Sequence, residues 1–236
     1  MRSRQEIKQM AKYQMGQQRG TAILLGIVVS LISLVFVLLE RVVAVTIPPL
    51  FWVVNIAGMA VITVAGVNML GEYIKIYCGN RASAANVINN MQVNFLRKLG
   101  GSLWMSLLIF LWTLLFIIPG IVKGMSYYFT QNVLADCPNV KARDALKISM
   151  KITSGYKMDV FIFILSWIGW YLLSVLTFGI LAIIFVTPYH MTSDAGFYLE
   201  LREKALAEGV ITEEELGWRS KDDFDGGSQA GFAGDL

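Results

Sequence analysis

The chain predicts an all-α, polytopic membrane protein: about six transmembrane helices, paired as three hairpins, with amphipathic cytosolic helices between them. Three observations carry this. Of the 236 residues, 56% are hydrophobic and only 16% charged, with a mean hydropathy of +0.57, more apolar surface than a soluble domain of this size can hide. Long apolar runs recur and end at turn residues. Finally, the Lys and Arg residues collect on alternate connections between those runs.

Residues 1–20 form a cytosolic amphipathic N-terminal segment, with a polar helix over 5–17 ending near Gly20. Two segments then pass the spanning test by themselves: residues 21–39 and 50–70 are 19 and 21 residues long and carry no charge. At about 1.5 Å per residue each crosses a hydrocarbon core of roughly 30 Å, the first with slight thinning or help from its flanks. The first run follows a polar stretch, and no clear small-x-small cleavage site follows it, so it reads as a retained helix and not a secretory signal.

The next pair is the most informative. An apolar run of 17, residues 102–118, is ended by Pro119-Gly120, since proline removes a backbone donor and glycine permits a turn. The chain returns over 121–134 with Lys123, Ser126, Thr130, Gln131 and Asn132. A lipid-facing helix cannot carry that face, so this leg is expected to lie against protein. The third pair begins with a run of 17, residues 160–176, and turns at Thr177-Phe178-Gly179. It returns over 180–198, apolar only to Val186 and then carrying Pro188, His190 and Asp194. The transmembrane domain is thus residues 21–200.

The connections carry helix signals of their own. Ala84, Val87, Ile88, Met91 and Phe95 recur at helical spacing behind Arg81. Ala142, Ala145, Leu146, Met150 and Thr153 do the same, opposite Lys141, Asp144, Lys147 and Lys151. The second of these helices either lies on an anionic membrane surface or packs beneath the bundle. Residues 201–236 form a cytosolic helix and tail. LELREKALAEG continues as a soluble helix, and Thr212 with Glu215 makes a capping box for a short one. From Ser220 the chain is rich in Gly and Asp, with too little apolar surface to fold.

Orientation follows from charge. With the N-terminus inside, eighteen Lys and Arg residues fall on cytosolic segments and two, Arg41 and Lys123, on the outer side, the asymmetry that the positive-inside rule requires. Both termini are then cytosolic and the later outer loops very short. The two cysteines, Cys78 and Cys137, are too few and too far apart for a disulfide framework or zinc site. His190 is the sole histidine, so no usual metal site can be assembled. No HExxH, GxSxG, Walker loop or dinucleotide fingerprint occurs. The sequence predicts no enzyme and no cofactor. Membrane topology accounts for the net charge of +3, and nucleic acid is not an expected partner. The expected partners are the lipid bilayer and a membrane protein, or a second copy of this chain.

A weak internal repeat accompanies these pairs. WTLLFIIPGI (112–121) and WYLLSVLTFGI (170–180) share Trp-x-Leu-Leu ahead of Gly-Ile. An amphipathic helix precedes each pair, and the N-terminal third is a looser copy.

Several blocks resemble one family. They are LWTLLFIIPGIVKGMSYYFTQNVLAD (111–136), Pro138, DALKISMKITSGYK (144–157), SWIGWYLLSVLTFGI (166–180), TPY (187–189) and Phe197-Tyr198. In this order they resemble the bacterial integral-membrane family catalogued as domain of unknown function family 975, strongly over about residues 95–200 and loosely over the first two spans. The resemblance implies a multi-pass bacterial plasma-membrane protein, most often from Gram-positive organisms, with no established activity. It supplies no catalytic residues, and His190 and Asp194 lie outside its pattern.

The candidate pathway or ligand contacts are therefore chosen from the residues themselves: Lys123, Tyr127, Gln131, Asn132, His190 and Asp194. Lys123 lies three residues past Gly120, where snorkelling to the interface is favoured over ligand contact. Tyr127, Gln131 and Asn132 line a cavity or, the favoured reading, bond across helices. His190 and Asp194 are one helical turn apart, and an imidazole–carboxylate pair could couple protons; a satisfied structural pair is the favoured reading. Pro119, Gly120, Gly179 and Pro188 are structural turns. The expected function is that of a non-enzymatic scaffold or accessory protein. A small permease or lipid-handling transporter, its path lined by the polar return legs, is the alternative.

Overall fold

The computed structural model describes residues 2–218, and these are helical without strands. The Gly- and Asp-rich tail expected from Ser220 lies outside the described residues.

Helix α1, Arg4–Gln17, opens with a capping box that the sequence reading passed over. The Glu6 N–H donates to Ser3 Oγ (3.2 Å) and the Ser3 N–H to the Glu6 carboxylate (2.6 Å). These two bonds hold Glu6 below its ordinary range. Ile7, Ala11 and Met15 repeat every four residues and bury that stripe. Helix α2, Arg19–Thr46, contains the predicted run 21–39 and continues through Glu40 and Arg41. After Ile47, one 3-10 turn at Pro48–Leu50 leads into α3, Phe51–Tyr77, which runs back along α2. The Tyr73 hydroxyl fastens the pair by donating to the Ala22 carbonyl (2.8 Å).

The helix expected across Ala84 to Phe95 is much shorter. Helix α4 spans only Ala85–Asn89 and buries Val87 alone, while Ile88 stays exposed. The chain then bends to Asn94, whose φ of 54° is left-handed, a conformation asparagine tolerates. Asn89 and Asn90 also offer the backbone side-chain bonds that compete with a helix. Periodicity found the apolar residues; Val87 is buried in a core cluster with Ala84 and Met91 packed against its edge, while Ile88 faces away.

The turn predicted at Pro119-Gly120 falls earlier. Helix α5, Phe95–Leu115, ends at Phe116, whose extended backbone (φ −157°, ψ 137°) separates it from α6, Ile117–Tyr127. Pro119 therefore sits in the first turn of α6, where a missing N–H goes unnoticed. Gly120 is a contact point, since a Cβ there would overlap Thr113 on α5. The expected return leg 121–134 is two short helices: the chain turns again at Tyr128-Phe129 before α7, Thr130–Asp136.

Helix α8, Ala142–Ile152, appears as predicted and buries Ala145, Leu146, Ile148, Ser149 and Ile152 against α5, α6, α7 and α10. Its apolar face is covered by protein, which favours the packed reading over the membrane-surface one. Ser149 Oγ and Thr153 Oγ1 both donate to the Ser126 carbonyl (3.0 and 3.2 Å).

Helix α9, Lys157–Leu176, ends in the expected turn, with Phe178 and Gly179 at φ of 51° and 82°. The return begins with a π-helical stretch, Ala182–Val186, and becomes α10, Thr187–Ala207. Pro188 has no N–H for the carbonyl four residues back, which accounts for the widened turn before it. Farther on, Thr212 and Glu215 exchange the predicted bonds (3.4 and 3.2 Å). Residues 213–217 nevertheless form turns and not a helix, closed by Gly217 at φ 66°.

Helices α1, α4, α8 and the 210–218 segment gather at one end, here the proximal end. The distal end holds the connections at Ile47, Phe116 and residues 177–179. The core is proximal: Ile7 of α1, Phe129 and Val133 of α7, Phe163 and Trp167 of α9, and Phe197 and Leu201 of α10. Four helical stretches are long and apolar enough to cross a membrane: Arg19–Thr46, Pro48–Tyr77, Phe95–Leu115 and Lys157–Leu176. The two return legs are built differently, each interrupted by a break and each turned toward protein.

Candidate functional site

The polar residues of the two return legs meet in side-chain contacts that bridge α7 and α10. Asn132 Nδ2 donates to Asp194 Oδ2 across the interface (3.0 Å), and both residues are buried. The Tyr128 hydroxyl, at the α6–α7 link, faces the same carboxylate. Phe129 turns its edge to Phe197 (centroids 5.8 Å apart), sealing one side. Asp194 Oδ1, Thr130 Oγ1 and Ser193 Oγ are buried without a hydrogen-bond partner.

The expected His190–Asp194 pair does not form. The His190 Nδ1 and the Tyr171 hydroxyl of α9 are 2.7 Å apart, and the imidazole stacks at a tilt on Trp167 (centroids 4.6 Å apart). Residues four apart on a helix share a face, but here each finds a partner on a different neighbour: α9 takes His190 and α7 takes Asp194. The Pro188 carbonyl accepts from Thr192 Oγ1 (2.7 Å).

Lys123 remains on its own leg, its ammonium 5.1 Å from the Trp112 ring and 6.0 Å from that of Tyr127, a cation–π arrangement. Tyr127 is buried and Gln131 half-buried. Of the six candidates, the structure joins only Asn132 to Asp194 by a hydrogen bond and sets Lys123 beside Tyr127.

A second polar cluster escaped the sequence reading. Asp136, closing α7, receives the Arg202 guanidinium and the Tyr198 hydroxyl (2.9 Å from the latter), both from α10. Burial works against the charge on Arg202, but Asp136 outweighs it and holds the guanidinium more firmly charged than usual. The neighbouring Cys137 thiol is pushed up to about 12 by burial, with Asp136 adding to the effect. Arg97 of α5 caps the end of α7, donating to the carbonyls of Leu134, Cys137 and Val140 (2.6–3.0 Å). Lys98 of α5 reaches α3, donating to the Asn68 side-chain Oδ1 within that helix (2.6 Å). From α1, the Lys8 ammonium donates to Ser166 Oγ (2.7 Å) and lies 4.5 Å from the Trp167 ring. The only signal for these residues was a charged group beside an apolar run, which gives no indication of a partner dozens of positions away.

Chemically, the arrangement binds helix to helix. Two carboxylates on two return legs stand differently: Asp136 is fully matched by a cation, and Asp194 is held by an amide with one oxygen free.

No curated protein and no solved structure gives a significant match to the chain. Residues 114–205, which contain both carboxylates, match the family described as "Protein of unknown function (DUF975)", the family that the blocks at 111–136 and 166–180 resemble.

Proposed function

We propose that this is a non-enzymatic scaffold or accessory protein of a bacterial plasma membrane. It crosses the bilayer six times as three hairpins, with both termini in the cytosol. The proximal end is then cytosolic, in keeping with its share of the Lys and Arg residues. One observation carries the scaffold reading: several polar side chains of the return legs are bonded to neighbouring helices. Asn132 holds Asp194, and Asp136 holds Arg202 and Tyr198. Ser149 and Thr153 hold the Ser126 carbonyl, and the aromatic rings of Phe129, Phe163, Trp167 and Phe197 fill the space between. Polar groups used as interhelical bonds make a rigid body, and such a body offers its faces to partners. A cleft of about 380 Å³ between α8 and the 214–217 turn, lined by Lys141, Lys147, Lys151 and Glu214, is the partner-facing feature on the cytosolic side.

Co-purification from native membranes, with lipids and proteins identified by mass spectrometry, tests this. A stoichiometric membrane-protein partner, or a second copy, is expected; recovery as a monomer carrying only bulk lipid would sink it. A reporter fused after residue 236 should behave as cytosolic, and an external signal there would overturn the topology. The alternative, a small permease or lipid-handling transporter, draws on the partnerless atoms of Asp194 and Thr130. Substrate-dependent flux through reconstituted liposomes would favour it.

A further inference from the structure

Among the described residues Glu72 and Asp194 are buried carboxylates and Asp136 is half-buried, and two of the three show how this protein accommodates a charge. Glu72 accepts from the Lys75 ammonium (2.7 Å), the Ser83 N–H (2.9 Å) and Asn86 Nδ2 (3.2 Å). Asp136 accepts from a guanidinium and a phenol. Asp194 is as deeply buried as Glu72, yet it has one amide donor, none of the described ion pairs includes it, and Oδ1 is partnerless. An ionised carboxylate in that setting is strongly destabilised, and a neutral carboxylic acid far less so. The free Oδ1 is where the additional hydrogen would sit.

We propose that Asp194 is a proton-binding site between the two return legs. It takes up one proton at mildly acidic pH to become the neutral acid and releases it to bulk water as pH rises. The step makes and breaks only the Oδ1–H bond, and the carboxylate left behind retains the Asn132 amide. The ionisable groups around it are Tyr128 from the α6–α7 link, Tyr171 from α9 and His190 one turn earlier on α10. Beyond His190 lies Lys8 of α1, and α3 contributes Tyr77, set against Gly196. His190 is turned away toward Tyr171, so it is not the base that accepts this proton. The site goes beyond the scaffold reading and does not depend on it: a scaffold with an inert Asp194 remains a scaffold.

Infrared difference spectroscopy of the full-length protein in lipid nanodiscs, titrated with acid and alkali in H₂O and D₂O, tests this. The wild type should give a deuterium-sensitive carboxylic-acid carbonyl band at mildly acidic pH, above the range where a free aspartate ionises, that disappears as pH rises further with loss of one proton per chain. Asp194→Asn should lack the band, and His190→Ala should keep it. Thermal unfolding should follow the same titration, with the wild type losing stability as Asp194 ionises and Asp194→Asn keeping its midpoint. Should Asp194→Asn not fold, Asn132→Ala decides. Loss of the Asn132 amide donor to the ionised form, with only the Tyr128 hydroxyl left facing it, should move the titration upward by about one pH unit. A wild-type protein without the band, a band that survives in Asp194→Asn, or an unmoved titration in Asn132→Ala each overturns the proposal.

Discussion

The proximal and distal halves of this molecule use one kind of helix in two different ways. In the proximal half, Phe129, Val133, Phe197 and Tyr198 are fully buried, and the Arg202 guanidinium is matched to Asp136. In the distal half, Val45, Ile118 and Phe178 are 83%, 76% and 97% exposed. A soluble protein could not tolerate that surface, but hydrocarbon supplies its missing neighbours. The difference teaches where structural specificity resides. Distal positions need only be apolar, whereas proximal ones need a particular partner at a particular distance.

The sharpest way to break the comparison is to leave a proximal charge alone. Arg202→Met strands the Asp136 carboxylate under Tyr198, and such losses are typically about 3–5 kcal/mol. Urea or thermal unfolding in detergent should register it, and Asp136→Leu added to Arg202→Met should recover much of the loss. A double variant as unstable as the single would show that the guanidinium serves something other than Asp136.

A smaller effect is expected from adding one methyl group at a packed glycine and one at an open glycine. A Cβ at Gly196 would overlap the Tyr77 ring, whereas one at Gly169 on α9 meets nothing within 4 Å. Gly196→Ala should destabilise by about 1–3 kcal/mol through forced repacking. Gly169→Ala should be neutral, or stabilising by up to about 1 kcal/mol because alanine is the better helix former. Equal melting points for the two variants would erase the distinction between partnered and unpartnered positions.

The same distinction explains what the sequence could reveal. The four long apolar helices were legible because hydropathy is local: each residue reports its own solvent. Gly179 was legible because a positive φ is a local demand. Pro119 misled because proline ends one helix and begins another equally well; Phe116, extended and carrying no breaker chemistry, makes the turn. His190 and Asp194 misled because spacing reveals which residues share a face and not which neighbour that face meets. Asp136 with Arg202 and Arg97 with Leu134 are long-range facts. No window along the chain contains both partners. Most of the distal half was therefore readable, and most of the candidate site was not.

The smallest expected effect lies at the proximal rim, where charges return to water. Lys151 and Glu215 form an ion pair in which each side chain is 41% exposed, joining α8 to the turn after α10. The Lys151 hydrogen bond holds Glu215 below the ordinary glutamate range. A lowered carboxylate stabilises above its unfolded-state titration and loses that contribution as pH falls through the folded one. Any benefit of this pair is therefore present at neutral pH and gone in acid. Exposed pairs are worth about 0–1 kcal/mol, and the turn has stronger anchors in the buried Ile211 and Leu216. Lys151→Ala should thus change the midpoint of unfolding at pH 7 by less than about 0.5 kcal/mol and leave the acid limb nearly superimposable on wild type. A loss several times larger, vanishing at low pH, would mean that specific pairing extends to the edge of the proximal half and that its boundary lies beyond the cleft at α8.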